Sequence, residues 1–551
     1  MSRRTPSSPG RAGRRALAAT GLAATCLIAA CSPVQQAEGP AEEAPDQSVG
    51  EPADAGAVQQ GGELVVALSA EPDRLDPVTS RSLYSRYVFH TMCEKLYDLD
   101  ADTEIVPQLA TALPEVSEDG LTVTIPVREG VVFADGTPFD AAAVKTTLDR
   151  SLSAETSARR GELGPISSVE APDPTTVVIT LEEPFAPLTA ALADRAGMIL
   201  SPTALTELGE DFSTAPVCVG PFKFVNRVAQ NSIEVERDPN YYDADKVFLD
   251  RITYRIITDA SIRAANLQSG DAQVADTLST QDVPGLRGTE GITVLETNSL
   301  GYQGVTFNVG NVDGLGTPPG DVGTPVANDP RVRQAFEYSV DREGLVRAVW
   351  NDLYSPACSP ISPESEFSSD AAQECTEFDP ARSRELLEEA GVEQPYPLSM
   401  IVSNNPDTLR LAQALQANLE EGGFALSIEP VEYSSLLDQQ DRGDYESLQL
   451  GWSGRVDPDA NITNFLGTGG GQNVAGYSNA ELDAVLEQAR TSTDTEERVR
   501  LYGEAVSLIQ ADDPIVYLYR QRNLSGVTDD VQGVQVFPDG VLRVAFAGLT
   551  G

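Results

Sequence analysis

Apolar and polar positions alternate with a period of two in short runs spread along the chain, at residues 63–68, 121–127, 175–181, 232–236, 252–257, 426–432 and 447–452. These runs are rich in Val, Ile and Thr, whose branched side chains suit a pleated, half-buried strand. Between them the period lengthens to that of a helix, and the starts are marked. Asp379-Pro380 opens a predicted helix in which Leu386, Leu387 and Ala390 precede Gly391, giving cap, first-turn proline and terminal glycine in order. Ser478-x-x-Glu481 and Asp494-x-x-Glu497 read as capping boxes, the first ahead of Leu482, Val485, Leu486 and Ala489, the second ahead of Val499, Tyr502, Val506 and Ile509. Asp329-Pro330 starts another helix through Val332, Ala335, Phe336 and Val340. Strands and helices that alternate in this way predict α/β layers and not a β-sandwich. No repeat with a period of 20–50 residues is visible.

Length and charge narrow the functions. A chain of 551 residues exceeds what one core supports, so two or three packed units are expected. With 41% hydrophobic residues it has the means to fold. The formal charge of −46 repels phosphate backbones and anionic membrane surfaces, so no nucleic-acid partner is expected and membrane attachment would be covalent. His90 is the only histidine, which excludes two-His metal motifs and leaves little room for a nucleophile–histidine pair; its helical setting predicts a packing role. No GxxxxGK[ST] loop, SxxK pair or GxSxG elbow occurs, and neither a cofactor nor a metal is expected.

The amino terminus reads as an address. Five arginines and no acid precede an apolar run at residues 16–30, followed by Cys31, which is a secretory signal too short to span a membrane. Arg14-Arg15 permits twin-arginine export beside the general route. Removing residues 1–30 takes five Arg and no acid, so −46 becomes −51. Residues 32–61 hold six acids, four prolines, no base and no aromatic, a composition that cannot build a core and predicts a disordered tether. Export also permits disulfides. Cys93, Cys218, Cys358 and Cys375 remain after cleavage and allow three pairings. The polar loop between Cys358 and Cys375 favours a local staple, which contributes ~3 kcal/mol in the chain-entropy picture; Cys93–Cys218 would then follow by elimination.

Eight collinear motifs give the chain a resemblance. Leu27-Ile28-Ala29-Ala30-Cys31 resembles a bacterial lipoprotein signal, with Cys31 the acylated residue. EPDRLDP (71–77), LTVTIPVREGVVFADGTPFDAAAV (121–144), GPFKF (220–224), ERDPNYY (236–242), NDPRVRQAFEYSVDREGLV (328–346), GWSGRVDPDANI (451–462), NVAGYSNAELDAVLEQA (473–489) and DDPIVYLY (512–519) together resemble the extracytoplasmic solute-binding proteins of ABC importers, family 5, the dipeptide-, oligopeptide- and nickel-binding type. The resemblance implies an α/β fold of two lobes (periplasmic-binding-protein-like, type II, cluster C-like) with an additional domain on the first lobe. It implies the divisions 1–30 signal, 31–60 lipidated Cys31 and disordered acidic tether, 61–89, 206–299 and 524–551 lobe I, 90–205 additional domain and 300–523 lobe II. It also implies a monomer outside the cell membrane that binds a small molecule or peptide and delivers it to permease subunits driven by a cytoplasmic ATPase.

Cleft residues are expected where strands end near the lobe crossing. Tyr302, Gln303 and Asn308 in LGYQGVTFN and the turn Trp452–Asp457 qualify, with Tyr84 and Tyr87 as weaker candidates. In peptide-binding members this turn resembles GWSGRVDPD but carries an Asp three residues after the Trp, which holds a peptide's amino group. Arg455 stands there in this chain, and counting back from Asp457-Pro458 gives Ser453 instead. Arg455 either faces an anionic or hydroxyl-rich ligand group or is paired with an acid such as Asp457 or Asp459. The competing class is a secreted hydrolase using two carboxylates, for instance a glycosidase. An adhesion protein would show repeats or stalks, and none is visible.

Overall fold

The computed structural model describes residues 47–551. The expected signal, Cys31 and the first half of the acidic segment lie outside the described residues. Seven predicted strands form within one or two residues of their expected bounds, including Glu63–Leu68, Thr122–Pro126, Phe424–Val431 and Ser447–Trp452.

Two mixed sheets organise the molecule. In the first, the strand order is Ile292–Asn298, Arg522–Thr528, Val274–Ala275, Glu63–Leu68, Arg251–Ile256, Ser232–Arg237, Phe222–Val228. In the second it is Ser355–Pro356, Ile515–Arg520, Tyr302–Phe307, Ser447–Trp452, Tyr396–Ser403, Phe424–Val431. A four-stranded sheet, Glu115–Val116, Thr122–Pro126, Thr176–Leu181 and Ile166–Asp173, belongs to a third unit, where the helix Ala141–Ser153 buries Val144 and Leu148. Separate apolar cores lie under the sheets, the first around Leu64, Phe222 and Tyr254, the second around Phe307, Phe336 and Phe424, the third around Ile125, Phe133 and Ile179. This is the two-lobe α/β architecture with an additional domain.

The chain passes between the large sheets twice, at residues 299–301 and at Gln521. The same two stretches pair antiparallel on both sides of the change, Asn298 with Arg522 in one sheet and Gln303 with Tyr519 in the other. Two adjacent connections of one to three residues make a hinge, because only their backbone dihedrals must change for the sheets to move. Buried Arg520 ties them together by donating to the carbonyls of Gly301, Ser359 and Ile361.

Three local expectations change. Asn479, not Ser478, caps the helix Ala480–Thr491, accepting from Glu481 N at 2.9 Å and Leu482 N at 3.2 Å, while the Ser478 hydroxyl meets that of Thr468 at 2.8 Å. The helix begun by Asp329 ends at Tyr338, so Val340 lies beyond it. The tether expected through residue 60 is attached over its described part: Ser48 exchanges backbone hydrogen bonds with Glu296, and Gln59 N donates to Leu549 O. Backbone pairing needs no apolar side chain, and Ile292–Asn298 is the open edge of its sheet, which this segment covers at Glu296. Cys93 is bonded to Cys218 and Cys358 to Cys375, each with Cα atoms 4.9 Å apart.

Candidate ligand-binding site

The Ser447–Trp452 strand runs toward the hinge and ends in a turn that two glycines make possible. Gly451 lies opposite Gln303, and a Cβ there would come within 2.4 Å of the Gln303 side chain. Gly454 has φ +84°, and a Cβ on it would strike the Leu300 backbone at 2.3 Å. Asn461, on the helix Asp459–Leu466, then clamps the turn: its Oδ1 accepts from Trp452 Nε1 at 2.9 Å and Arg455 N at 2.8 Å, and its Nδ2 donates to Arg455 O at 2.9 Å.

Trp452 forms part of the wall of a cavity of about 200 Å³ between the lobes. Tyr84, Trp350, Tyr354, Tyr433 and Tyr519 add five more rings. Trp350, Tyr354 and Tyr519 pack together with centroids 5.0–5.6 Å apart, and Tyr84 of the first lobe meets Tyr433 of the second edge-on at 5.5 Å. A smaller chamber of about 60 Å³ shares Arg81, Tyr433, Leu450, Gly451 and Trp452 with it and extends toward Tyr302, Leu437 and Phe465. Polar groups on the main wall are mostly carboxamides and hydroxyls: Gln303, Gln449, Gln521, Asn404, Asn405, Ser69, Ser403 and Ser453. The three glutamines form a directed row, Gln449 Nε2 to Gln303 Oε1 at 3.3 Å and Gln303 Nε2 to Gln521 Oε1 at 2.9 Å.

Each charged residue on the wall is engaged by the protein. Arg81 crosses to Asp441 at 2.5 Å. Arg263 donates to the carbonyls of Ile257, Thr258 and Thr277 and lies 3.6 Å from Asp276. Asp407 accepts from Arg410 at 2.6 Å and from Ser279, across the cleft, at 3.0 Å. Glu432 caps the helix Tyr433–Arg442. Behind the wall, burial pushes the Asp276 carboxyl up to about 6, against the pull of Arg263 and Ser69; on the wall, burial pushes the Tyr84 hydroxyl up to about 12, with Asp276 adding to the rise.

The expected residues divide. Trp452 and Gln303 line the main cavity and Tyr302 the smaller chamber, pairing with Trp452 across the sheet. Tyr84 also reaches the wall, and Tyr87 packs edge-on against it at 6.0 Å. Asn308 points away, donating to the carbonyls of Asn311 and Gly443. Asp457 is buried against Arg498 at 2.8 Å. Arg455 lies behind the wall: its guanidinium stacks on Trp452 at 4.1 Å and its Nε meets Asp194 of the third unit at 2.5 Å. Asp194 also takes Arg86 Nε at 3.0 Å. Burial alone would raise Asp194, but Arg455, Arg86, Arg195 and Arg159 hold it well below the usual carboxylate range. Besides Trp452, the residue of this turn that lines the cavity is Ser453, so no acid stands there.

Sequence reasoning missed Arg81, Trp350, Tyr354, Asn404, Tyr433, Gln449 and Gln521 on the wall and Asp194 behind it. Gln449 carried a faint signal, since it shares a strand face with Gly451, which pairs with Gln303. The others come from segments far apart in the chain.

The model of the bacterial extracellular solute-binding proteins, family 5 Middle, matches residues 104–473. The chain is 30% identical over 500 residues to the glutathione-binding protein GsiB of Pectobacterium atrosepticum, covering 89% of this chain and 94% of that protein. It is 30% identical to the protein of that name in Salmonella typhi, covering 87% and 92%. Among solved structures, AgaA of A. tumefaciens R10 in complex with agropinic acid is similar at 27% identity and TM-score 0.78, covering 88% of this chain and 96% of that one. DppA of Helicobacter pylori, in complex with the peptide STSA, shares the fold at 24% identity and TM-score 0.81, covering 90% and 99%. These relatives are binding proteins by name, and the two-carboxylate hydrolase finds no support among them.

Proposed function

The chain belongs to the bacterial extracellular solute-binding proteins of family 5, and from that premise we propose how it serves as the solute-binding component of an ABC importer. A small solute enters between the lobes, the hinge at residues 299–301 and Gln521 bends, and the closed form delivers it to the permease. The observation that carries this reading is the cavity itself, walled by both lobes and flanked by contacts that join them: Arg81–Asp441, Tyr84–Tyr433 and Ser279–Asp407. A solute bridging the two walls binds the closed form more tightly than the open one, and that difference is what shifts the population.

Trp452, Gln303 and Tyr302 act as ligand-facing residues in this reading. Arg455 and Asp457 position the turn from behind, and Asn308 shapes the loop at Asn311. The names of the relatives support a small polar solute, and the cavity size favours one over a long peptide. The family places the protein outside the cytoplasm. Acylation at Cys31 would hold it at the cell membrane, a reading that rests on the signal-like residues 27–31.

Mass spectrometry of small molecules released by denaturing the purified protein tests the binding reading. One bound solute at close to stoichiometric yield is expected; if nothing is released and no candidate solute rebinds, the reading fails. Cys31→Ser should move the protein from the membrane fraction to the medium, and continued lipid labelling of that variant would refute the anchor.

A further inference from the structure

Resting on the solute-binding reading, we infer that the solute is neutral and polyhydroxylated, of the size of a mono- or disaccharide or a cyclic polyol. The first argument is electrostatic. A charged ligand group taken out of water needs a counter-charge with spare capacity, since an unpaired ion is strongly disfavoured once buried. The wall instead holds charges that are already matched: Arg81 with Asp441, Arg263 with Asp276 and three carbonyls, Asp407 with Arg410, and Glu432 with the start of its own helix. Arg455, the one cation of the ligand-facing turn, pairs with Asp194 behind the wall. A surface charge of −46 for the whole chain further slows the arrival of anions.

The second argument is the shape of the polar groups. A carboxamide places a donor and an acceptor side by side in one plane, which matches two neighbouring hydroxyls, each able to donate and accept. The Gln449–Gln303–Gln521 row fixes three such groups in one orientation at the junction of the lobes. The aromatic rings supply the remaining wall, and the faces of π-systems suit the C–H surface that a ring of secondary alcohols presents between its hydroxyls. Peptide termini would leave these amides under-used and would set two unmatched charges against matched pairs.

Calorimetry of the purified, solute-stripped protein against neutral hexoses, disaccharides and inositols, beside glutathione and dipeptides, decides the class. A sugar or polyol should bind with an affinity indifferent to salt, and Gln303→Met and Gln449→Met should each lower it about tenfold or more, because hydroxyls are left unpaired in a buried site. Thermal melting of both variants, with Gln521→Met as a third, shows whether the fold is intact. Preferred binding of glutathione or a dipeptide, or sugar binding unchanged in folded glutamine variants, would overturn this inference while leaving the solute-binding reading in place. Binding of none of these probes, with no solute released on denaturation, would remove both.

Discussion

Trp452 separates two environments built from one turn. On one side lies a cavity of about 200 Å³ walled by rings, carboxamides and hydroxyls. On the other, Arg455 stacks on the indole at 4.1 Å and joins Asp194, which joins Arg86, which joins Asp539 at 3.2 Å, which accepts from Arg543 at 2.9 Å. This ionic chain lies among side chains less than a tenth exposed and links segments of the third unit, the first sheet's lobe and the second sheet's lobe. The contrast has a physical reason. Buried ion pairs tolerate little displacement, so they suit a place where three units must meet in one register. On the proposed reading the cavity wall exchanges water for solute in every cycle, and such a wall is better made of groups whose dehydration costs less.

The comparison can be broken most severely from behind the wall. Arg455→Ala should cost about 3–5 kcal/mol of stability by stranding Asp194 with fewer partners, seen as a lower melting temperature; in a double-mutant cycle Asp194→Asn should recover part of it. Equal, additive losses would mean that the pair is not coupled. Next in size, Trp452→Leu should weaken binding of the released solute about a hundredfold in calorimetry, as expected for a central aromatic anchor. A loss no larger than that of a rim residue would shift the site elsewhere in the cavity.

The two buried carboxylates should titrate in opposite senses. Asp194 is held below its ordinary range, so its contribution is complete above about pH 4 and is lost as pH falls through its folded value. Asp276 is raised to about 6, so the folded state binds its proton more tightly than the unfolded chain does. Stability should therefore drop by about 2 kcal/mol as pH rises from about 4 to about 6. Asp276→Asn should flatten that limb in denaturant titrations across this window; an unchanged pH profile would show that Asp276 is solvated in solution. The smallest effect is expected at the partly exposed rim, where Asp441→Asn should cost about 1 kcal/mol or less and disappear at high salt.

Much of the framework was legible along the chain. Asp329, Asp379 and Asp494 each cap the helix they precede, because a short acceptor followed by helix-forming residues settles that end locally. Period-two runs located strands for the same reason. Where a cap and its neighbour were both competent, as at Ser478 and Asn479, local pattern could not choose, and the contact with Thr468 drew the serine away. Ile515–Arg520, buried along its whole length, showed no alternation to read.

The sequence by itself determined the class of molecule: the strand and helix order, the collinear motifs of an extracellular solute-binding protein, the strand-end location of Trp452 and Gln303, and the acidity of the surface. Tertiary structure alone decided which side of the turn each residue serves. Arg455 is drawn away from the cavity by Asp194, 261 positions earlier in the chain, and the wall is completed by Tyr84, Trp350, Tyr433 and Gln521 from four separate segments. Periodicity reports which face of its own element a residue occupies, whereas pairing of charges and closure of a cavity depend on contacts between elements that no local pattern encodes.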